Sequence, residues 1–469
     1  MTFQEIQQKL SSKQISVEEI VKNYLTQIQN KKSLNAFIDV FENEAIENAI
    51  SIDKKIQNGN AGKLAGMVIA VKNNIAIQNH LLTCGSKILE NFKSLFDATA
   101  ISRLKKEDAL FIGATNLDEF AMGSSTETSY FGVTKNPIDE TRVCGGSSGG
   151  SAVAVAANMS TVALGSETGG SVRQPSAFCG VYGLKPTYGR ISRYGLVAYG
   201  SSLDQIGICG NSVYDIALTL ETISGVDEND STSANVIVDN YISNFNKNIK
   251  GLKVGIPKEY FTDGLNAEIK ESIFSQIEIL KSNGVEVVEI SLPNSEYTIP
   301  TYLIIAMAEA SSNLARFDGA RYGYRANDVK TLLDMYIKSR SVGFGDEVKR
   351  RIMIGTYVLS SGYYDAYYRK AQKVRRLIYQ DYVDVFRKVD FIITPTTPTT
   401  AFKIGEKISD PVTMYLQDIF TVSANLAGIC GISIPIGKDK LGLPIGMQIL
   451  GKHFDEKTIL NVANFIERK

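Results

Sequence analysis

Gly66-Met67-Val68-Ile69-Ala70-Val71-Lys72-Asn73-Asn74 is the stretch on which the fold turns. A short apolar run that opens on a glycine and closes on a lysine is too brief for a buried helix and suits a strand covered on both faces. Residues 109–112 and 161–164 repeat that texture, and the alanine-rich segment 151–157 before the last of them reads as a helix. Short buried strands alternating with helices predict an α/β fold on an open sheet.

Further along the chain, a β-α-β pattern starts at residues 252–256, passes through a helix with Ile269, Ile273, Ile277 and Leu280 on one face, and returns at 285–290. Residues 298–382 read as mostly helical and rich in tyrosine, after which strand-like runs come back at 391–393, 432–436 and 445–450. The helical segment is therefore expected to be an insertion or cap over the sheet. The first sixty residues read as helices: Ser16 and Glu19 have capping-box spacing, Ile15 and Ile20 that of a hydrophobic staple, and Val17, Ile20, Val21, Tyr24, Leu25 and Ile28 recur at helical period.

A chain of 469 residues that is 44% hydrophobic can bury a large core, as one large α/β domain or as two or three smaller ones. Fifty basic residues balance fifty acidic ones, so the overall field gives no reason to expect this chain to hold a polyanion by itself. Cys84, Cys144, Cys179, Cys209 and Cys430 are scattered without a CxxC pair, which predicts reduced buried thiols and no metal site. No stretch approaches the roughly 20 uninterrupted apolar residues of a membrane span, and the N-terminus lacks a basic region followed by an apolar one. The expectation is a soluble, unexported chain of the cytoplasm, or of an organelle matrix if encoded there.

Histidine narrows the chemistry, because the chain has only His80 and His453 and neither sits in a nucleophile-base context. A Ser-His-Asp hydrolase is therefore disfavoured, and lysine is the usual substitute as base. The densest glycine-serine region runs Gly145-Gly146-Ser147-Ser148-Gly149-Gly150-Ser151, followed by Gly165-Ser166-Glu167-Thr168-Gly169-Gly170-Ser171-Val172-Arg173-Gln174-Pro175. Such runs let the backbone approach a ligand closely, although alone they are more often plain turns. Neither run is closed by Gly-Lys-Ser/Thr, which disfavours a phosphate loop. Lys72 at a strand end would ordinarily snorkel to solvent, yet strand ends are where α/β enzymes place their sites, and a desolvated lysine can act as a neutral base.

Lys72, the 145–151 run and the 165–175 run, in this order and at this spacing, resemble the amidase signature family, and the stretch from Cys179 to Arg190 extends the match. The resemblance covers essentially the whole chain. It implies a single domain over residues 1–469, with a mixed central β-sheet covered by helices on both faces, N-terminal helices over 1–60 and the helical insertion over 298–382. It implies Ser171 as nucleophile, Ser147 as a bridging serine on a cis peptide and Lys72 as base. The backbone N–H groups of Thr168, Gly169, Gly170 and Ser171 would form the oxyanion hole.

Residues 116–130, 316–323 and 346–368 further resemble one branch of the family, the glutamine-hydrolysing A subunits of tRNA-dependent amidotransferases. That resemblance implies Arg351, rather than its neighbour Arg350, for the α-carboxylate of glutamine, Asp418 for its α-ammonium and Tyr302 lining the amide pocket. It implies no cofactor in this chain, and a heterotrimer in which ammonia passes to a B subunit that binds ATP, a divalent metal and Glu-tRNA(Gln), braced by a small C subunit. The alternatives are a free-standing amidase of a small or fatty-acyl amide, which would not need Arg351 and Asp418, and a scaffold that keeps its serines without turnover.

Overall fold

Five adjacent apolar positions can be buried together only if both faces of their strand are covered, and the computed structural model, which describes residues 1–245 and 248–469, covers them. The strands are β1 (Phe37–Val40), β2 (Val68–Lys72), β3 (Leu110–Thr115), β4 (Val162–Glu167), β5 (Tyr182–Lys185), β6 (Gln205–Gly210), β7 (Lys253–Pro257), β8 (Glu286–Ile290), β9 (Phe391–Pro395), β10 (Gly431–Lys438) and β11 (Pro444–Gly451). They form one sheet in the order β1-β3-β2-β4-β6-β5-β10-β11-β9-β7-β8. Pairing is mixed: β2 runs parallel to β3 and β4, β7 runs parallel to β8 and β9, and the central strands from β4 to β9 pair antiparallel. Every residue of β2, β3, β4, β6, β9 and β11 is buried, whereas the edge strands β1 and β8 are partly open.

The helices follow their sequence signals. Ser16 accepts the Glu19 N–H and Glu19 reaches back to the Ser16 N–H, completing the capping box, and the helix Val17–Asn30 buries Val17, Ile20, Val21 and Tyr24. The helix Ala267–Ser282 buries Ile269, Ile273, Ile277 and Leu280, the face that its periodicity marks. Between β8 and β9 lie the helices Thr298–Asn313, Leu332–Gly343, Asp346–Val358 and Lys370–Val385, with one π-helical turn at Asp365–Arg369.

Two features differ from the sequence reading. The first sixty residues also contain β1, which pairs with β3 at the sheet edge; four residues carry too little alternation to stand out. Strands β5 and β6 lie in glycine-bearing sequence without a clear period, and it is β5 that joins β10 and so fuses the two halves of the sheet.

Candidate active site

Lys72 is the last residue of β2, and beside it the parallel strand β4 ends at Glu167, so the two strands deliver their next residues to the same end of the sheet. In open α/β sheets ligands collect outside the carboxyl ends of the strands. Lys72 does not snorkel: it is fully buried, and its Nζ donates to Ser147 Oγ at 2.7 Å, Ser148 Oγ at 2.9 Å and Ser166 O at 3.2 Å. Burial, opposed by the nearby carboxylates Asp118, Asp204 and Glu167, lowers the lysine to about 7. A neutral amine is thus accessible near physiological pH. The Gly146–Ser147 peptide is cis, as the sequence resemblance implied.

The turn after β4 carries Thr168 to Val172 and leads into the helix Arg173–Cys179. Glu167 accepts the N–H groups of Val172 and Arg173 at 3.0 Å each and forms a buried ion pair with the Arg173 guanidinium, which also donates to Gln448 Oε1, Thr421 O and Asn425 Oδ1. The residues that follow Ser171 are therefore fixed by one carboxylate. Gly170 sits at φ +150°, and a Cβ there would collide with Thr421 Oγ1, so the backbone passes where no side chain fits. Thr421 Oγ1 donates to Gly169 O at 2.7 Å, which fixes that peptide's carbonyl. The N–H groups of Gly169, Gly170 and Ser171 make no hydrogen bond among the described residues. Lys72 and Ser147 are 0% exposed and Ser171 is 7% exposed, so Ser171 is the one of the three that a substrate can touch. Ser171 O accepts the Ser148 N–H at 3.0 Å, but no hydrogen bond joins the Ser171 and Ser147 hydroxyls among the described residues. Catalytic hydrogen bonds are often long before substrate arrives.

Three more groups come from the C-terminal half. Arg351, on the helix Asp346–Val358, is 4% exposed; its Nε donates to Glu347 Oε1 at 2.8 Å and its Nη1 to Tyr199 Oη at 2.7 Å. Its guanidinium lies over the rings of Tyr199 and Tyr415. Arg350 is more open and pairs with the other oxygen of Glu347. Asp418 accepts Ser124 Oγ at 2.5 Å through one oxygen, while the other oxygen is buried without a partner among the described residues. Burial raises its carboxyl to about 7. Tyr302 is buried on the helix Thr298–Asn313, with its ring against Gly169. A cavity of about 290 Å³ runs between the loop from Met122 to Ser125 and the helix that carries Arg351, with Tyr415 on its wall. A larger apolar cavity, about 360 Å³ between Leu82, Phe92, Leu196, Phe317 and Tyr322, holds none of these groups.

A family model described as Amidase matches residues 19–460 of this sequence. The chain belongs to the amidase family. Among its relatives, a protein of Sulfurihydrogenibium sp. named as the A subunit of glutamyl-tRNA(Gln) amidotransferase is 57% identical over 98% of this amidase and 96% of its own length. One of the same name from Fusobacterium nucleatum is 53% identical over 100% and 96%. The crystal structure of the glutamyl-tRNA(Gln) amidotransferase A subunit from Thermotoga maritima superposes with a TM-score of 0.78 at 42% identity, covering 97% of this amidase and 94% of that chain.

Several polar groups of the amidase site carry no sequence signal of their own. Ser148 lies inside the glycine-serine run and shares Lys72 with Ser147. Tyr199 and Asp204 stand in no motif, yet they link the two ends of the site: Thr168 Oγ1 donates to Asp204 Oδ1 at 2.6 Å, Asp204 accepts the Tyr199 N–H at 2.8 Å, and Tyr199 Oη holds Arg351. Only packing shows that chain of contacts.

Proposed function

We propose that this amidase hydrolyses glutamine and passes the ammonia on as the A subunit of a glutamyl-tRNA(Gln) amidotransferase. The observation that carries the reading is a buried arginine, Arg351, on one wall of a cavity and, bonded to Ser124 of the other wall, the half-buried Asp418, one of whose carboxylate oxygens is buried without a partner among the described residues. A free amino acid presents one anion and one cation, and such a pair reads both. The names of the relatives support the same substrate and assembly.

In this mechanism neutral Lys72 takes a proton from Ser147, which takes one from Ser171 as its Oγ attacks the side-chain amide carbon. The oxyanion is held by the N–H groups of the Thr168–Ser171 turn. As the C–N bond breaks, the proton returns through Ser147 to the leaving nitrogen and ammonia departs; water then cleaves the γ-glutamyl ester, giving glutamate and free Ser171. Partner B and C subunits complete the enzyme, with ATP, a divalent metal and Glu-tRNA(Gln) on the B subunit.

Copurification tests the assembly and the substrate together. A tagged chain is expected to bring down two further proteins, and the complex to convert glutamine to glutamate and ammonia. A chain that purifies alone and cleaves simple neutral amides as fast as glutamine would be a free-standing amidase instead.

A further inference from the structure

Arg351 is useful only if its helix stands at a fixed distance from the loop opposite, and that spacing is set behind the cavity. The helix Asp346–Val358 is held at two points on either side of Arg351. Toward its C-terminal end Gly355 lies against the Met307 carbonyl of the helix Thr298–Asn313. At its N-terminal end the capping residue Gly345 donates its N–H to Glu119 Oε2 at 2.8 Å. The other oxygen of Glu119 accepts the Ser86 hydroxyl, which also lies 3.2 Å from Gly343 O. A carboxylate 3% exposed is thus committed to the turn that starts the Arg351 helix.

Glu119 also belongs to the opposite wall. The next residues, Phe120 and Ala121, have φ of +49° and +60°, a left-handed pair that L residues adopt only when their surroundings impose it. Phe120 is wedged against Phe317 and Phe344, the latter being the neighbour of Gly345. Beyond this turn come Met122 to Ser125, which line the cavity, and Ser124, which holds Asp418. Glu119 therefore ties the Arg351 helix to the loop that supports Asp418.

Resting on the assignment of Arg351 and Asp418 to the two charged ends of glutamine, we propose that Glu119 is a positioning residue whose bond to Gly345 sets the span between them. It touches no substrate and acts through Arg351. Loss of the latch lets the helix start shift, so glutamine is bound less well while the nucleophile, its base and the turn after β4 are untouched.

The test uses the purified chain with the subunits that accompany it. Glu119→Leu keeps roughly the same volume but removes both acceptor oxygens, and loss of the hydrogen bond to Gly345 is expected to raise KM for glutamine about tenfold. The kcat, and the rate at which a small neutral fluorophosphonate labels Ser171, should change by no more than about twofold. Gly345→Ala attacks the same bond from the other side, since its Cβ would collide with Glu119 Oε2, and should give the same split if the Glu119 variant does not fold. The double variant should be no worse than the more impaired single variant, because both break one contact. Glu119→Asp, a shorter carboxylate, should recover part of the KM. Parallel loss of labelling, or unchanged KM in both single variants, would overturn the assignment. If Arg351→Ala also leaves KM for glutamine unchanged, the fault lies in the substrate assignment; if Arg351→Ala raises KM and the latch variants do not, the latch alone is wrong.

Discussion

The groups proposed to react and the groups proposed to recognise glutamine come from different parts of the fold. Lys72, Ser147 and Ser171 stand at a strand end or in glycine-rich turns between residues 72 and 171, with Lys72 held by the neighbouring Ser147 and Ser148 hydroxyls and the Ser166 carbonyl. Tyr302, Arg351 and Asp418 come from three separate helical segments of the C-terminal half, and the two charged ones are held by other side chains: Tyr199, Glu347, Ser124. The proposed chemistry thus rests on strand ends and the turns beside them, and the proposed recognition on helical segments from distant parts of the chain.

That contrast predicts a hierarchy of damage. Ser171→Ala should lower glutamine turnover on the order of 10⁴-fold or more, with the circular dichroism and melting curve of the parent chain, because the hydroxyl makes the covalent bond. Turnover above a few per cent would mean another nucleophile. Lys72→Arg keeps the charge but cannot become neutral, so a loss on the order of 10²- to 10⁴-fold is expected. A near-normal rate would reduce Lys72 to an electrostatic role.

The pH profile joins both regions. Lys72, lowered to about 7 by burial, must be neutral to accept a proton, and Asp418, raised to about 7 by burial, must be charged to hold an ammonium. Both active forms are the deprotonated ones, so kcat/KM for glutamine should rise with pH through about 7 and fall more steeply below it than one titration allows. Labelling of Ser171 by a neutral fluorophosphonate depends only on the lysine and should show the single limb.

Recognition should fail more gently and selectively. Arg351→Ala and Asp418→Ala each leave a buried charge site half empty, which typically costs about 2–5 kcal/mol, tens to thousands of fold in kcat/KM for glutamine. Neither should slow acylation by the small electrophile more than a few fold. Equal losses in the two assays would make these residues structural.

The smallest expected effect lies far from both regions. Ser16→Ala removes the hydroxyl that accepts the Glu19 N–H at 3.1 Å and should cost about 1 kcal/mol of stability in denaturant unfolding, with glutamine turnover unchanged. A loss of activity there would show that the N-terminal helices couple to the site.

Local patterns along the chain define the strand at Lys72 and the helix faces, through an apolar run and a 3.6-residue period, whereas Lys72, Ser147 and Ser171 are singled out as a triad by the family resemblance of the runs that carry them. They leave β5 and β6 unresolved, because those short glycine-bearing runs become strands only by pairing with β4 and β10. Nor do they separate Arg350 from Arg351 by chemistry, since the two are adjacent cations of one kind; the fold turns Arg351 inward between Tyr199 and Tyr415 and leaves its neighbour more open. Depressing Lys72, raising Asp418 and setting Glu119 on Gly345 belong to tertiary structure for the same reason. Each depends on removing a group from water or on contacts between segments distant in sequence, and neither can be read from neighbours along the chain.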